Sequence, residues 1–171
     1  MTEKSPHAIL VIAREPAFHQ NLHHILSDAA DTAAAVEIIS AYQPETGLNL
    51  VGRTVGPDSP FAVILVAIEA EAAQNNLEFV ARLASIVDDV KTPIVLGFDA
   101  QASYPWDDIL VRLDRLGNLF MLKDVTDGPV VRQLVQSLLS KRINKNQAAA
   151  NKPEPDPMNS DNGNNFHAYV D

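Results

Sequence analysis

Cysteine is absent from the 171-residue chain, which excludes disulfides, thiol nucleophiles and Cys-ligated metal centres. Positive charge is scarce: 13 Lys and Arg stand against 22 Asp and Glu, a formal net charge of -9. A nucleic-acid groove needs a basic surface to meet phosphates, so no nucleic-acid partner is expected. Long hydrophobic runs are missing too. The longest, residues 61–68 (FAVILVAI), is strand-sized and far short of the roughly 20 residues that span a bilayer. The N-terminus, MTEKSPHAILVIA, has one early Lys, a short apolar stretch ended by Arg14, and no signal-peptide cleavage region. These absences point to a cytoplasmic protein with no membrane partner. There is no G-x-x-x-x-G-K phosphate loop and no internal repeat.

What is present is enough apolar residue for a core, 46% of the chain, arranged as short runs that alternate with helical patterns. Residues 8–12 (AILVI) form a continuous apolar run, as in a strand buried on both faces. Pro16 then suits a first helical position, and Phe18, Leu22, Ile25 and Leu26 fall on one helix face. Residues 36–40 (VEIIS) read as a less apolar strand nearer a sheet edge, and 44–51 as a short helix weakened by Gly47. Residues 61–68 are the third strand, 75–87 a helix, 92–98 (TPIVLGF) the fourth strand and 106–116 a helix. Residues 119–122 are the fifth strand, before a last helix capped near Asp127 with Val131, Leu134, Val135, Leu138 and Leu139 as its stripe. Five strands alternating with five helices predict an α/β doubly wound, parallel sheet with helices on both faces. The expected organisation is an N-terminal extension over 1–6, one domain over 7–143 and a tail over 144–171. That tail is rich in Asn, Pro and Asp and is expected to be disordered.

Ligand crevices in such sheets lie at the carboxyl ends of the strands. Here those ends read Ala13-Arg14-Glu15, Ala67-Ile68-Glu69, Gly97-Phe98 and Leu122-Lys123-Asp124. Three stretches carry a resemblance. ILVIAREPAFHQNLHHIL is similar to VLVVDDxPAIHxDFxxIL, SPFAVILVAIE to PYALAFVDVR, and SYPWDDILVRLDRLGNLFMLKD to DYSWxDIxxxLGxxDxLLILKKP. With the strand-end spacing, residues 7–142 resemble the CheY-like receiver (response-regulator) domains, closest to those attached to larger signalling proteins. The resemblance implies the flavodoxin-like fold with strand order 2-1-3-4-5.

It also implies a dismantled phosphorylation site. The family's acidic pair falls on Ala13 and Arg14, its phosphoacceptor Asp on Ala67 and its Thr/Ser on Gly97. Alanine has no carboxylate to attack phosphorus, and a cation in the metal pocket repels magnesium, which binds hard carboxylate oxygens. No phosphoacceptor, no metal and no cofactor are therefore expected. The family lysine falls on Lys123 or, in the ungapped alignment, on Asp124. In the second case Arg14 is expected to pair with Asp124 across the crevice, or failing that with Glu15 or Glu69.

Other features have a plain and a functional reading. His19 and His23 have the i, i+4 spacing of a metal pair but no carboxylate third ligand, so helix-surface or structural roles are favoured. Glu69 and Glu71 read as a solvated loop or as a standing negative charge. By resemblance, Tyr104, Trp106, Phe120 and Lys123 lie where receivers meet partners; for Trp106, packing on its own helix is the plainer role. The expected function is a non-enzymatic signalling module of a two-component or phosphorelay type. It would bind a protein partner, such as a histidine kinase or an output enzyme, without phosphorylation; a homodimer stays open. The alternatives are a regulator binding a small ligand in the emptied crevice, and an enzyme of flavodoxin-like architecture with an unrecognised site.

Overall fold

The computed structural model describes residues 7–27, 36–54, 59–87, 92–116 and 119–151. Strands β1 (His7–Ile12), β2 (Val36–Ala41), β3 (Phe61–Ala67), β4 (Ile94–Gly97) and β5 (Leu119–Leu122) alternate with helices. These are α1 (Pro16–Ser27), α2 (Pro44–Thr54), α3 (Ala73–Ile86), α4 (Trp106–Leu113) and α5 (Gly128–Asn151), with a single 3-10 turn, Ala70–Ala72, before α3. All neighbouring strands are parallel, in the order β2-β1-β3-β4-β5. This is the expected flavodoxin-like sheet, with the less apolar β2 at one edge.

Strand periodicity sorts the core into two layers. Leu10 and Ile12 of β1 face one cluster with Ile64, Val66, Leu96 and the inner faces of α2, α3 and α4. Ile9 and Val11 face the other with Val63, Leu65, Val95 and the α1 and α5 stripes. Helix α2 comes unusually close to β1: a Cβ on Gly47 would lie 2.5 Å from Ile12 Cδ1. The glycine that weakens α2 as a helix is what lets it pack there.

Several boundaries differ from expectation, and at two helix ends the reason is local. Helix α4 stops at Leu113, because Arg115 and Leu116 N–H groups turn back to the carbonyls of Arg112 and Leu113, the tighter i to i+3 pattern that ends helices. Helix α5 does not give way at Asn144 but continues to Asn151. Elongating a helix costs little once it is nucleated, and Ala148, Ala149 and Ala150 are the best helix formers. Among the residues of α5 whose burial is described, the last in the core is Leu139. Residues Met1–Ser140 form one compact unit and Lys141–Asp171 a second, whose described part is the final stretch of α5. The expected extension 1–6 and the part of the tail beyond Asn151 lie outside the described residues. Among the described residues no helix is long and apolar enough to cross a membrane.

Candidate functional site

Four strand ends converge at one end of the sheet. Ala67 is in register with Gly97, and Gly97 with Leu122. Hydrogen bonds continue past the strands: Ala13 N–H to Ala41 O at 3.0 Å, Ile68 N–H to Gly97 O at 2.8 Å, Phe98 N–H to Leu122 O at 2.9 Å. The backbone here is thus paired rather than left to meet a ligand.

The remaining cleft, bordered by Ala13, Arg14, Pro44, Ala67, Glu69 and Asn76, measures about 20 Å³. That is room for about one water, against the roughly 300–1,000 Å³ of ligand sites. The small-ligand reading of an emptied crevice is not favoured. Beside it, Val125 occupies the space next to Gly97: a Cβ on residue 97 would lie 2.5 Å from Val125 Cγ1 and 3.5 Å from Phe18 Cζ. Val125 is buried, and its N–H donates to Phe98 O at 3.1 Å. Its role was not foreseen from sequence; the available signal was an apolar β-branched residue directly after the charged Lys123-Asp124 pair.

The first-named partner of Arg14 is not the one it meets, but one of the two alternatives, Glu69, is. Arg14 pairs with Glu69, Nη1 to Oε1 at 3.6 Å, with the Arg14 side chain 65% exposed and Glu69 26%. It does not pair with Asp124. That carboxylate accepts from the hydroxyl and the N–H of Thr126, which hold the Asp124 carboxyl below its ordinary value. The reason is local: an Asp two residues before an amide closes an Asx turn more readily than it reaches across a sheet. Lys123 is exposed, and among the described residues no carboxylate lies within ion-pair distance of it.

Tyr104 is not a surface contact residue. It is 7% exposed; its hydroxyl donates to Ile68 O at 2.8 Å and accepts from Asp99 N–H at 3.0 Å. Burial pushes its phenol above the ordinary value. Trp106 packs on Phe98 and Tyr104, with ring centroids 4.8 and 5.3 Å away, and is only partly exposed. Phe120 packs against the α1/α5 core layer. The open apolar surface lies instead along α4. Leu110 and Val111 are 50% and 59% exposed and border a groove of about 520 Å³ floored by Leu119 and Met121 of β5. Val111 also borders a second groove of about 400 Å³ toward Leu77 and Ala81 of α3.

His19 is 2% exposed. Its Nε2–H donates to the Ala13 carbonyl at 2.8 Å, and Nδ1 lies 2.9 Å from Ser40 Oγ. A carbonyl only accepts, so in the neutral ring the Ser40 hydroxyl donates to Nδ1. Both nitrogens are therefore used to fasten α1 to the ends of β1 and β2, and His19 is unavailable as half of a metal pair with His23. Among the described residues no three His, Cys, Asp or Glu side chains cluster as metal donors.

The fold has counterparts in solved structures. The chain has the receiver fold. It is similar to a signal receiver domain of a two-component histidine kinase from Clostridium thermocellum, at 13% identity and a TM-score of 0.59 over 78% of this chain and 97% of that one. The Mn(2+)-bound form of the response regulator Rcp1 shares 17% identity at a TM-score of 0.55, over 75% of this chain and 91% of that one. A response-regulator receiver domain from Rhodospirillum rubrum shares 16% at a TM-score of 0.50, over 74% and 89% of the two chains. No family model and no curated protein matches the sequence.

Proposed function

We propose that this receiver-fold chain is a cytoplasmic, non-enzymatic signalling module that works by binding another protein and not by accepting phosphate. At the positions that resemblance gives to the acceptor, the acidic pair and the hydroxyl stand Ala67, Ala13 with Arg14, and Gly97. A phosphoryl acceptor needs a nucleophilic carboxylate and a metal-binding pocket, and neither group is there.

The observation that carries the binding half is the apolar ridge of α4. Leu110 and Val111 stand half or more exposed beside the roughly 520 Å³ groove against β5. Contiguous exposed apolar surface rimmed by polar groups marks interaction sites, and Asp114 is the polar group at the edge of this groove. Partners of the two-component type, a histidine kinase or an output enzyme, suit such a surface. By resemblance Trp106, the first residue of the same helix, and the exposed Lys123 past β5 are further contact candidates, whereas Phe120 faces the other core layer.

The test is capture from native lysate with wild-type protein and with Leu110→Asp/Val111→Asp, alongside acetyl phosphate treatment with magnesium. The wild type should retain a signalling protein that the double variant loses, at unchanged melting temperature. Its intact mass should not rise by a phosphoryl group. Equal capture by both proteins, or a hydroxylamine-labile mass increase, would refute the proposal.

A further inference from the structure

The connection between β4 and α4 is held by one side chain. The Tyr104 hydroxyl makes two hydrogen bonds at once, donating to Ile68 O at 2.8 Å and accepting from Asp99 N–H at 3.0 Å. Ile68 follows the last residue of β3, and Asp99 lies two residues past β4. The phenol therefore ties the β3 exit to the β4 exit, from a residue two positions before α4 begins. Trp106 N–H returns to Tyr104 O at 2.9 Å, so the first residue of α4 is fastened to the same side chain's backbone. The ring is wedged between Phe98, edge-to-face at 5.1 Å, and Trp106 at 5.3 Å. Within the loop, Asp99 Oδ1 accepts from Gln101 N–H and Asp99 O from Ala102 N–H.

We infer that Tyr104 is a permanent latch that fixes α4 in one position, so that the α4 surface is presented constitutively. One of its two partners, Ile68, lies between Ala67 and Glu69, which border a cleft with room for about one water. That cleft is too small for a ligand that would set the loop, and Tyr104 is the side chain that ties it. The buried Ile68 carbonyl and the part-buried Asp99 amide lose their pairing without the phenol, whereas the ring's packing survives in phenylalanine. The inference rests on the binding role proposed for α4, but its consequence is read without any partner.

The experiment is backbone amide exchange and ¹⁵N relaxation dispersion on the full chain, wild type against Tyr104→Phe. In the wild type the Asp99 amide should be protected and residues 98–106 should show no millisecond exchange. In the variant, Asp99 should exchange faster by about tenfold, the effect of one lost hydrogen bond, while Val95 in the β4 core keeps its rate. Residues 98–106 and the Trp106 indole should then acquire millisecond exchange. An Asp99 rate unchanged in the variant, or one that rises only in step with Val95, overturns the latch. Millisecond exchange of the loop in the wild type overturns it as well, and that measurement stands even if the variant does not fold. Failure of partner capture with these results intact would fault the binding role and leave the latch in place.

Discussion

At the scale of single residues, the strand ends are shaped by small side chains and what has grown into their place. Gly97 meets Val125 where a Cβ would stand, and valine is stiff about χ1, so it cannot swing aside cheaply. Gly97→Ala should therefore destabilise the domain by about 1–3 kcal/mol, the usual cost of overpacking. Adding Val125→Ala should recover part of that loss, which denaturant unfolding of the two single variants and the double variant would measure. Additivity would mean the two side chains do not compete for one space. Arg14 gives the opposite expectation. Its pair with Glu69 is long at 3.6 Å and mostly in solvent, so Arg14→Ala should change stability by less than about 1 kcal/mol. A larger loss by chemical denaturation would indicate a buried partner for the guanidinium.

At the scale of elements, pattern was readable where burial is one-sided or complete, and not where a turn decided. The run AILVI and the stripe Val131, Leu134, Val135, Leu138, Leu139 mark β1 and α5 because water exclusion imposes periodicity. That Ala13, Ala67 and Gly97 stand at the strand ends was readable from the pattern of apolar runs, while the family positions given to them came from the resemblance. The Arg14–Asp124 expectation failed because an Asx turn with Thr126 is decided by local geometry that no periodicity records. Tyr104 was misread as a contact residue since an aromatic at a loop looks the same in sequence whether its hydroxyl is buried or free. Gly47 belongs to this scale as well, because it sets the distance between α2 and β1. Replacing it by alanine improves helix propensity by about 1 kcal/mol, yet puts a methyl 2.5 Å from Ile12 Cδ1. Overpacking at about 1–3 kcal/mol should win, so Gly47→Ala should lower the melting temperature. Ile12→Val, which removes that Cδ1, should make the same substitution better tolerated; a gain in stability from Gly47→Ala alone would show that α2 shifts freely.

At the scale of the whole molecule, the described core residues all fall within the compact unit Met1–Ser140, with Leu139 the last of them on α5. Ending the chain after Lys145 should therefore leave the melting temperature within about 2 °C of the full-length value, a shift well under the effect of one kcal/mol; a drop several times larger would show that later residues contribute to the fold. The same layout has a bearing on synthesis. The order in which strands leave the ribosome is β1, β2, β3, but the order in space is β2, β1, β3. The strand made first is thus an interior one with a neighbour on each side, and its second edge stays unpaired until Val66 has emerged to meet Ile12. Neither charge nor proline interrupts AILVI, the devices that keep open strand edges from pairing with other chains. The half-synthesised chain therefore offers aggregation an opening at β1 that the finished sheet closes.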